Sequence, residues 1–210
     1  MNKSLITGLH HVTAMASSPQ KNVDFYVGIL GLRLVKKTVN FDAPDVYHLY
    51  YGDEDGNPGS IMTFFPFKNI RPGKHGKGQA AKTSFSIPTA SIDYWIKRFE
   101  QFKVKYKAPQ KRFDEVAIYF EDFDGLGLEL IANDKDSRPP FTYGHIPLEH
   151  AVRGFYSVEV WENTFERTEA LLVNQLEHEF VAEEGPRRRY AAKNGQPGQL
   201  IDIVWGADHP

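Results

Sequence analysis

Hydrophobic and polar positions along this chain change period in a fixed order, and the order occurs three times. The first extended stretch, residues 6–16, alternates: Leu9, His11, Thr13 and Met15 share one face, and His10, Val12 and Ala14 share the other. Ser17-Ser18-Pro19 then supplies an N-cap and a proline suited to a first helical turn. Val23, Tyr26, Val27 and Leu30 follow at helical spacing, and Gly31 is the stop. Strands are expected at 32–39, 46–51 and 60–65, the last two separated by an Asp- and Gly-rich turn at 53–57.

The second round has a strand at 83–87 and a helix at 91–102 with Ile92, Trp95, Ile96 and Phe99 on one side. Strands at 104–106, 116–121 and 126–132 complete it. A stretch rich in Pro and charge, 133–149, reads as a linker. The third round opens at 154–158, continues with a helix at 165–176, and closes with strands near 179–182, 188–192 and 200–205. Counting supports the repeat: Leu30 lies 19 positions after His11, and Leu176 lies 19 after Ser157. Gly59, Gly125 and Gly198 each open a closing strand, and four residues later stand Thr63, Glu129 and Asp202. The expected fold class is α+β: three tandem βαβββ modules at 5–68, 80–133 and 153–206, with a linker at 134–152, forming curved mixed sheets with helices outside. One such unit is a half-sheet whose open edge must be covered or paired, so an odd number of units favours self-association into a homo-oligomer.

Composition narrows the function. The chain has 210 residues and a net charge of −2, which leaves no electrostatic footprint for nucleic acid. The basic runs 71–77 and 187–189 sit in Gly- and Pro-containing stretches and read as solvated loops, without the strand–loop–helix context of a phosphate cradle. Absence of cysteine removes disulfides, thiolate nucleophiles and Cys-based zinc sites. No apolar run resembles a signal peptide or a membrane span, so a cytoplasmic protein is expected. The aromatic content, 15 Phe and 10 Tyr, suits a shared core and also a pocket for a flat ring.

The residue pair that invites a chemical reading is His10-His11. Neutral imidazole is the commonest metal ligand, so one arm of a metal site is one reading; strand histidines satisfied by backbone carbonyls are the other.

Several longer segments change that balance. They are Gly8-Leu9-His10-His11-Val12-Thr13, Phe25-Tyr26 with Leu30-Gly31, and Val35-Lys36-Lys37-Thr38-Val39-Asn40. Tyr47-His48-Leu49-Tyr50, Gly59-Ser60-Ile61-Met62-Thr63, and Pro147-Leu148-Glu149-His150-Ala151 running into Arg153-Gly154-Phe155 complete the set. Together they resemble the vicinal oxygen chelate superfamily, the group of glyoxalase I, bleomycin-resistance proteins and extradiol dioxygenases. The resemblance is closest to the four-module enzymes that open hydroquinone-type rings. It implies an Fe(II) centre (Mn(II) or Zn(II) as alternatives) held by two histidines and a glutamate, a small aromatic diol as substrate, and O₂ as co-substrate. The family's first-module histidine maps onto His11. Its other His and Glu belong to a fourth module that has no counterpart in this sequence, and His10 and Thr13 map near the active site.

Replacement ligands are scarce. Lys82, Thr83 and Ser84 occupy the second module's version of the His11 strand, and Ser157 replaces His11 in the third. Glu129 and Asp202 stand at carboxylate positions and are the alternative metal ligands. His48, Tyr50 and Thr63 are candidates for lining a pocket, whereas His145 and His150 suit a structural loop, and His75 and His178 are expected to be exposed. Besides ring cleavage, two other functions fit: a glyoxalase-like metal-dependent isomerase or lyase, and a metal-free protein of the resistance type that binds an aromatic compound.

Overall fold

The elements come in the expected order in the computed structural model, which describes residues 5–206. The first unit comprises β1 (His11–Ala16), α1 (Pro19–Val23) running into a π-helical turn (Asp24–Ile29), β2 (Arg33–Val39), β3 (Tyr47–Gly52) and β4 (Ile61–Pro66). The second comprises β5 (Gln79–Ile87), α2 (Ile92–Gln101), β6 (Gln110–Arg112), β7 (Glu115–Glu121) and β8 (Gly127–Ala132). The third comprises β9 (Gly154–Glu162), α3 (Glu166–Asn174), β10 (His178–Glu184), β11 (Arg187–Ala192) and β12 (Leu200–Trp205). No helix among the described residues is long and apolar enough to cross a membrane.

Each unit pairs its first strand in parallel with its last. The first strands of the second and third units, β5 and β9, then pair antiparallel with each other, which fuses the two units into one eight-stranded sheet. The first unit stays a four-stranded sheet of order β1-β4-β3-β2, with β1 at its edge. Strand register makes the repeat quantitative: Thr13 faces Thr63, Ser84 faces Glu129, and Glu159 faces Asp202. These three pairs are therefore one position seen in three environments.

Four expectations need correction. The first strand begins only at His11, because Gly8, at φ 128°, turns the chain just before it. The helix after Pro19 is α-helical for only its first part, and the wider π turn that follows keeps sequence neighbours Phe25 and Tyr26 both buried. Residues 104–106 form only an isolated bridge from Tyr106 to Phe120, and the second unit's edge strand is instead Gln110–Arg112. The run Arg187-Arg188-Arg189 is not a solvated loop but the start of β11, with Arg189 only 4% exposed.

The core lies between the sheets. From α2, Trp95 and Phe99 are fully buried, as their i, i+4 spacing requires, and they meet Phe25, Tyr26 and Phe120 in one aromatic cluster. Arg98 fastens the helices together by donating to the carbonyls of Gly28 and Ile29. The linker contributes a second fastening. Arg138 pairs with buried Asp136 and donates to the carbonyls of Gly59 and Phe155. A Cβ on Gly154 would stand 2.8 Å from the Arg138 guanidinium, and Gly154 itself has φ 136°, so only glycine fits there.

Candidate functional site

The four-stranded sheet has one face in the core and one face turned outward. Leu49, Tyr51, Met62 and Phe64 point inward and are buried. The alternate positions His11, Thr13, His48, Tyr50, Thr63 and Phe65 therefore share the outer face, which strand alternation alone dictates. This face brings together most of the residues expected to act. Thr63 donates to Thr13 across the β1–β4 pair at 2.9 Å. His48 Nδ1 and the Tyr50 hydroxyl are 2.8 Å apart, and the His48 ring lies between those of Tyr50 and Phe65 at centroid distances of 4.1 and 4.0 Å. Burial first, then the neighbouring His11 and Lys36, lowers the His48 imidazole below its ordinary value, so it is neutral at pH 7. Its Nε2 is buried and has no hydrogen-bond partner.

His11 itself is exposed at the free edge of β1. Strict alternation would send the His10 ring to the opposite face, but His10 precedes the strand and its Nδ1 lies 3.0 Å from His11 Nδ1. Two neutral imidazoles at that distance need one N–H donor and one acceptor. If His11 Nδ1 donates, its Nε2 carries a free lone pair; if His10 donates, His11 Nε2 must hold a proton. The contact therefore couples the tautomers of the two rings. The segment is held firmly: Gly198 O accepts from Leu9 N at 2.7 Å, and His10 O accepts from Gly59 N at 2.9 Å.

The donor set decides how far a metal fits. His11 presents one imidazole at the sheet edge with His10 against it, and no group of three His, Asp or Glu side chains suited to a metal occurs among the described residues. A facial triad therefore needs donors from outside them. Glu129 and Asp202 are not near His11's sheet face: both belong to the eight-stranded sheet. There Glu129 takes a two-pronged contact from Arg112 at 2.8 and 3.0 Å and another from Lys82 at 3.4 Å. Asp202 takes Arg189 at 2.7 and 2.9 Å and Arg187 at 3.1 Å. Burial alone would raise the Glu129 carboxyl, but Arg112 and Lys82 hold it well below the usual carboxylate range. At the position where the first unit has His11, these units carry Lys82 and Ser157.

Sequence reading missed Glu159, Arg112 and Arg187, which complete this network. Alternation from Ser157 would have put Glu159 on the same face, and that was the available signal. Two further histidines sit in structural contacts. His150 stacks on Tyr94 and meets Ser91, and His145 meets the Gly28 carbonyl. His75 is exposed as expected, but His178 is buried at 5% exposure with its ring nitrogen on the Leu176 carbonyl.

With this geometry in place, comparison with known proteins fixes the family. Residues 8–130 match the Glyoxalase/Bleomycin resistance protein/Dioxygenase superfamily, and the chain belongs to it. It is 42% identical over 93% of its length to "Putative ring-cleaving dioxygenase MhqO" of Bacillus subtilis (strain 168), of which it spans 62%. It is 35% identical over 97% of its length to the chlorohydroquinone/hydroquinone 1,2-dioxygenase of Sphingobium indicum, of which it spans 64%. The crystal structure of a "putative dioxygenase" from Bacillus subtilis superposes with a TM-score of 0.92 at 39% identity, covering 99% of this chain and 66% of that one. The chain thus spans under two thirds of the length of these relatives.

Proposed function

We propose that this chain is the larger part of an Fe(II)-dependent dioxygenase that opens the ring of hydroquinone- or catechol-like diols. The observation that carries the reading is His11 on the outer face of β1, an edge strand paired with β4 on one side and free on the other. Units two and three join through their first strands, β5 and β9. By the same rule β1 expects the first strand of another βαβββ unit, which would bring the remaining donors opposite His11. That unit comes either from beyond the described residues or from a second copy of the chain. The relatives' names supply the substrate class and O₂.

Each residue of the outer face then has a task. His11 offers Nε2 to the metal, and His10 accepts the Nδ1 proton that keeps Nε2 free. Thr13 and Thr63, already bonded to each other, present hydroxyls to a substrate oxygen. The His48–Tyr50 pair would accept or return a proton while Phe65 walls one side. An Fe(II) held by His11 and the missing donors would bind and activate the substrate oxygen and O₂. A cytoplasmic location fits the chain's lack of cysteine.

The test is oxygen uptake with hydroquinone by anaerobically prepared protein loaded with Fe(II), with metal content measured alongside. His11→Ala is expected to lose both iron and uptake; retention of both would overturn the assignment. The shortage of donors among the described residues favours one rival, a metal-free binder of aromatic compounds. Saturable hydroquinone binding without iron or turnover would establish it instead. A glyoxalase-like isomerase would want ligands at the Lys82 or Ser157 position, where neither residue serves.

A further inference from the structure

The eight-stranded sheet contains a cavity of about 420 Å³ whose charge is one-sided. Lys82, Lys107, Lys111, Arg112 and Arg187 line it, against a single lining carboxylate, Glu129. The deeper charges cancel: Lys82, Arg112, Arg187 and Arg189 are matched by Glu115, Glu129, Glu159 and Asp202 through direct contacts. Lys107 and Lys111 at the exposed mouth have no carboxylate partner among the described residues, so the cavity carries two uncompensated positive charges. Behind its wall, Arg112 Nε is buried with no hydrogen-bond partner among the described residues. Tyr119 and Trp161 add flat walls, and the Lys107 ammonium lies 5.1 Å from the centre of the Tyr119 ring.

From this geometry we infer that the cavity binds a small planar organic dianion, a compound with two carboxylate groups on an unsaturated carbon frame. Two negative charges would balance Lys107 and Lys111 at the mouth. The flat frame would lie along Tyr119 and Trp161. The inference uses no residue of the four-stranded sheet and stands apart from the dioxygenase reading.

The test is calorimetric titration of the full chain with trans,trans-muconate, with succinate, inorganic phosphate and hydroquinone as comparisons. One muconate per chain is expected, its affinity falling as salt is raised, with the other three binding more weakly. The paired exposed substitutions Lys107→Gln and Lys111→Gln are expected to weaken muconate binding about tenfold, while Lys97→Gln on α2 leaves it unchanged. Absence of muconate binding, or equal binding by the paired variant, would overturn the inference. Phosphate binding as tightly as muconate would also overturn it, since a simple oxoanion site needs no flat walls.

Discussion

Glu129→Gln is the most informative single change, because Glu129 stands where Thr63 stands in the first unit and is the hub of the buried ion network. The substitution keeps the shape and one acceptor oxygen. It removes the charge that faces Arg112 at 2.8 and 3.0 Å and Lys82 at 3.4 Å, and it turns an amide N–H₂ toward a cation. Lys82 keeps Glu159 at 2.8 Å, but Arg112 is left with Glu159 at 3.6 Å only. Removing one member of a buried pair costs about 3–5 kcal/mol, and the surviving Glu159 contacts reduce this to about 2–4 kcal/mol. Urea unfolding followed by circular dichroism at pH 7 measures it. The pH dependence has a definite sign: the folded Glu129 carboxyl sits below its unfolded value, so its stabilisation is complete above about pH 5 and is lost as pH falls through the folded value. Glu129→Gln should therefore lose less stability than the parent between about pH 5 and pH 2. A variant as stable as the parent at pH 7, or one with the same acid sensitivity, would refute the ion-network account and reopen Glu129 as a free carboxylate.

Arg138→Met should cost about 2–3 kcal/mol, since it strands buried Asp136 while the guanidinium itself is partly exposed; chemical denaturation checks this. Tyr26→Phe removes the donor that Tyr26 gives to buried Asp122 at 3.0 Å and should lower stability by about 1–2 kcal/mol in the same assay. His10→Phe should reduce Fe(II) affinity of the assembled centre about 10–100-fold while leaving the thermal midpoint nearly unchanged, measured by metal titration. An equal loss of stability would mean that His10 holds the chain rather than the His11 tautomer.

Period alone revealed the order of the elements and the helix faces, because Trp95 and Phe99 could face only one way. The repeat also located Thr63, Glu129 and Asp202 at one structural position, later confirmed by strand register. What residue types could not convey was how the same position is filled. Glu129 reads equally as a metal ligand and as a solvated or salt-bridged carboxylate until Arg112, which is 17 residues away, is seen to grip it. The run 187–189 reads as loop because three adjacent arginines look solvated, yet alternation buries Arg189 against Asp202 and turns Arg188 to the other side, onto Phe165. His10, which the resemblance put near the active site, was turned to the wrong face by period because alternation was applied to a residue that the turn at Gly8 leaves outside the strand.

The Arg138 guanidinium has a meaning beyond stability. Its contacts reach the Gly59 carbonyl, which ends the approach to β4, and the Phe155 carbonyl near the start of β9, while Gly198, before β12, sits within van der Waals reach. One side chain from a connecting segment thus acts as the hinge pin of both sheets, at the corner where His10 and His11 enter. Drift in that connector would be transmitted to the histidine pair through Gly59, whose N–H donates to the His10 carbonyl, so sequence changes around 136–138 can move His10 and His11 from a distance.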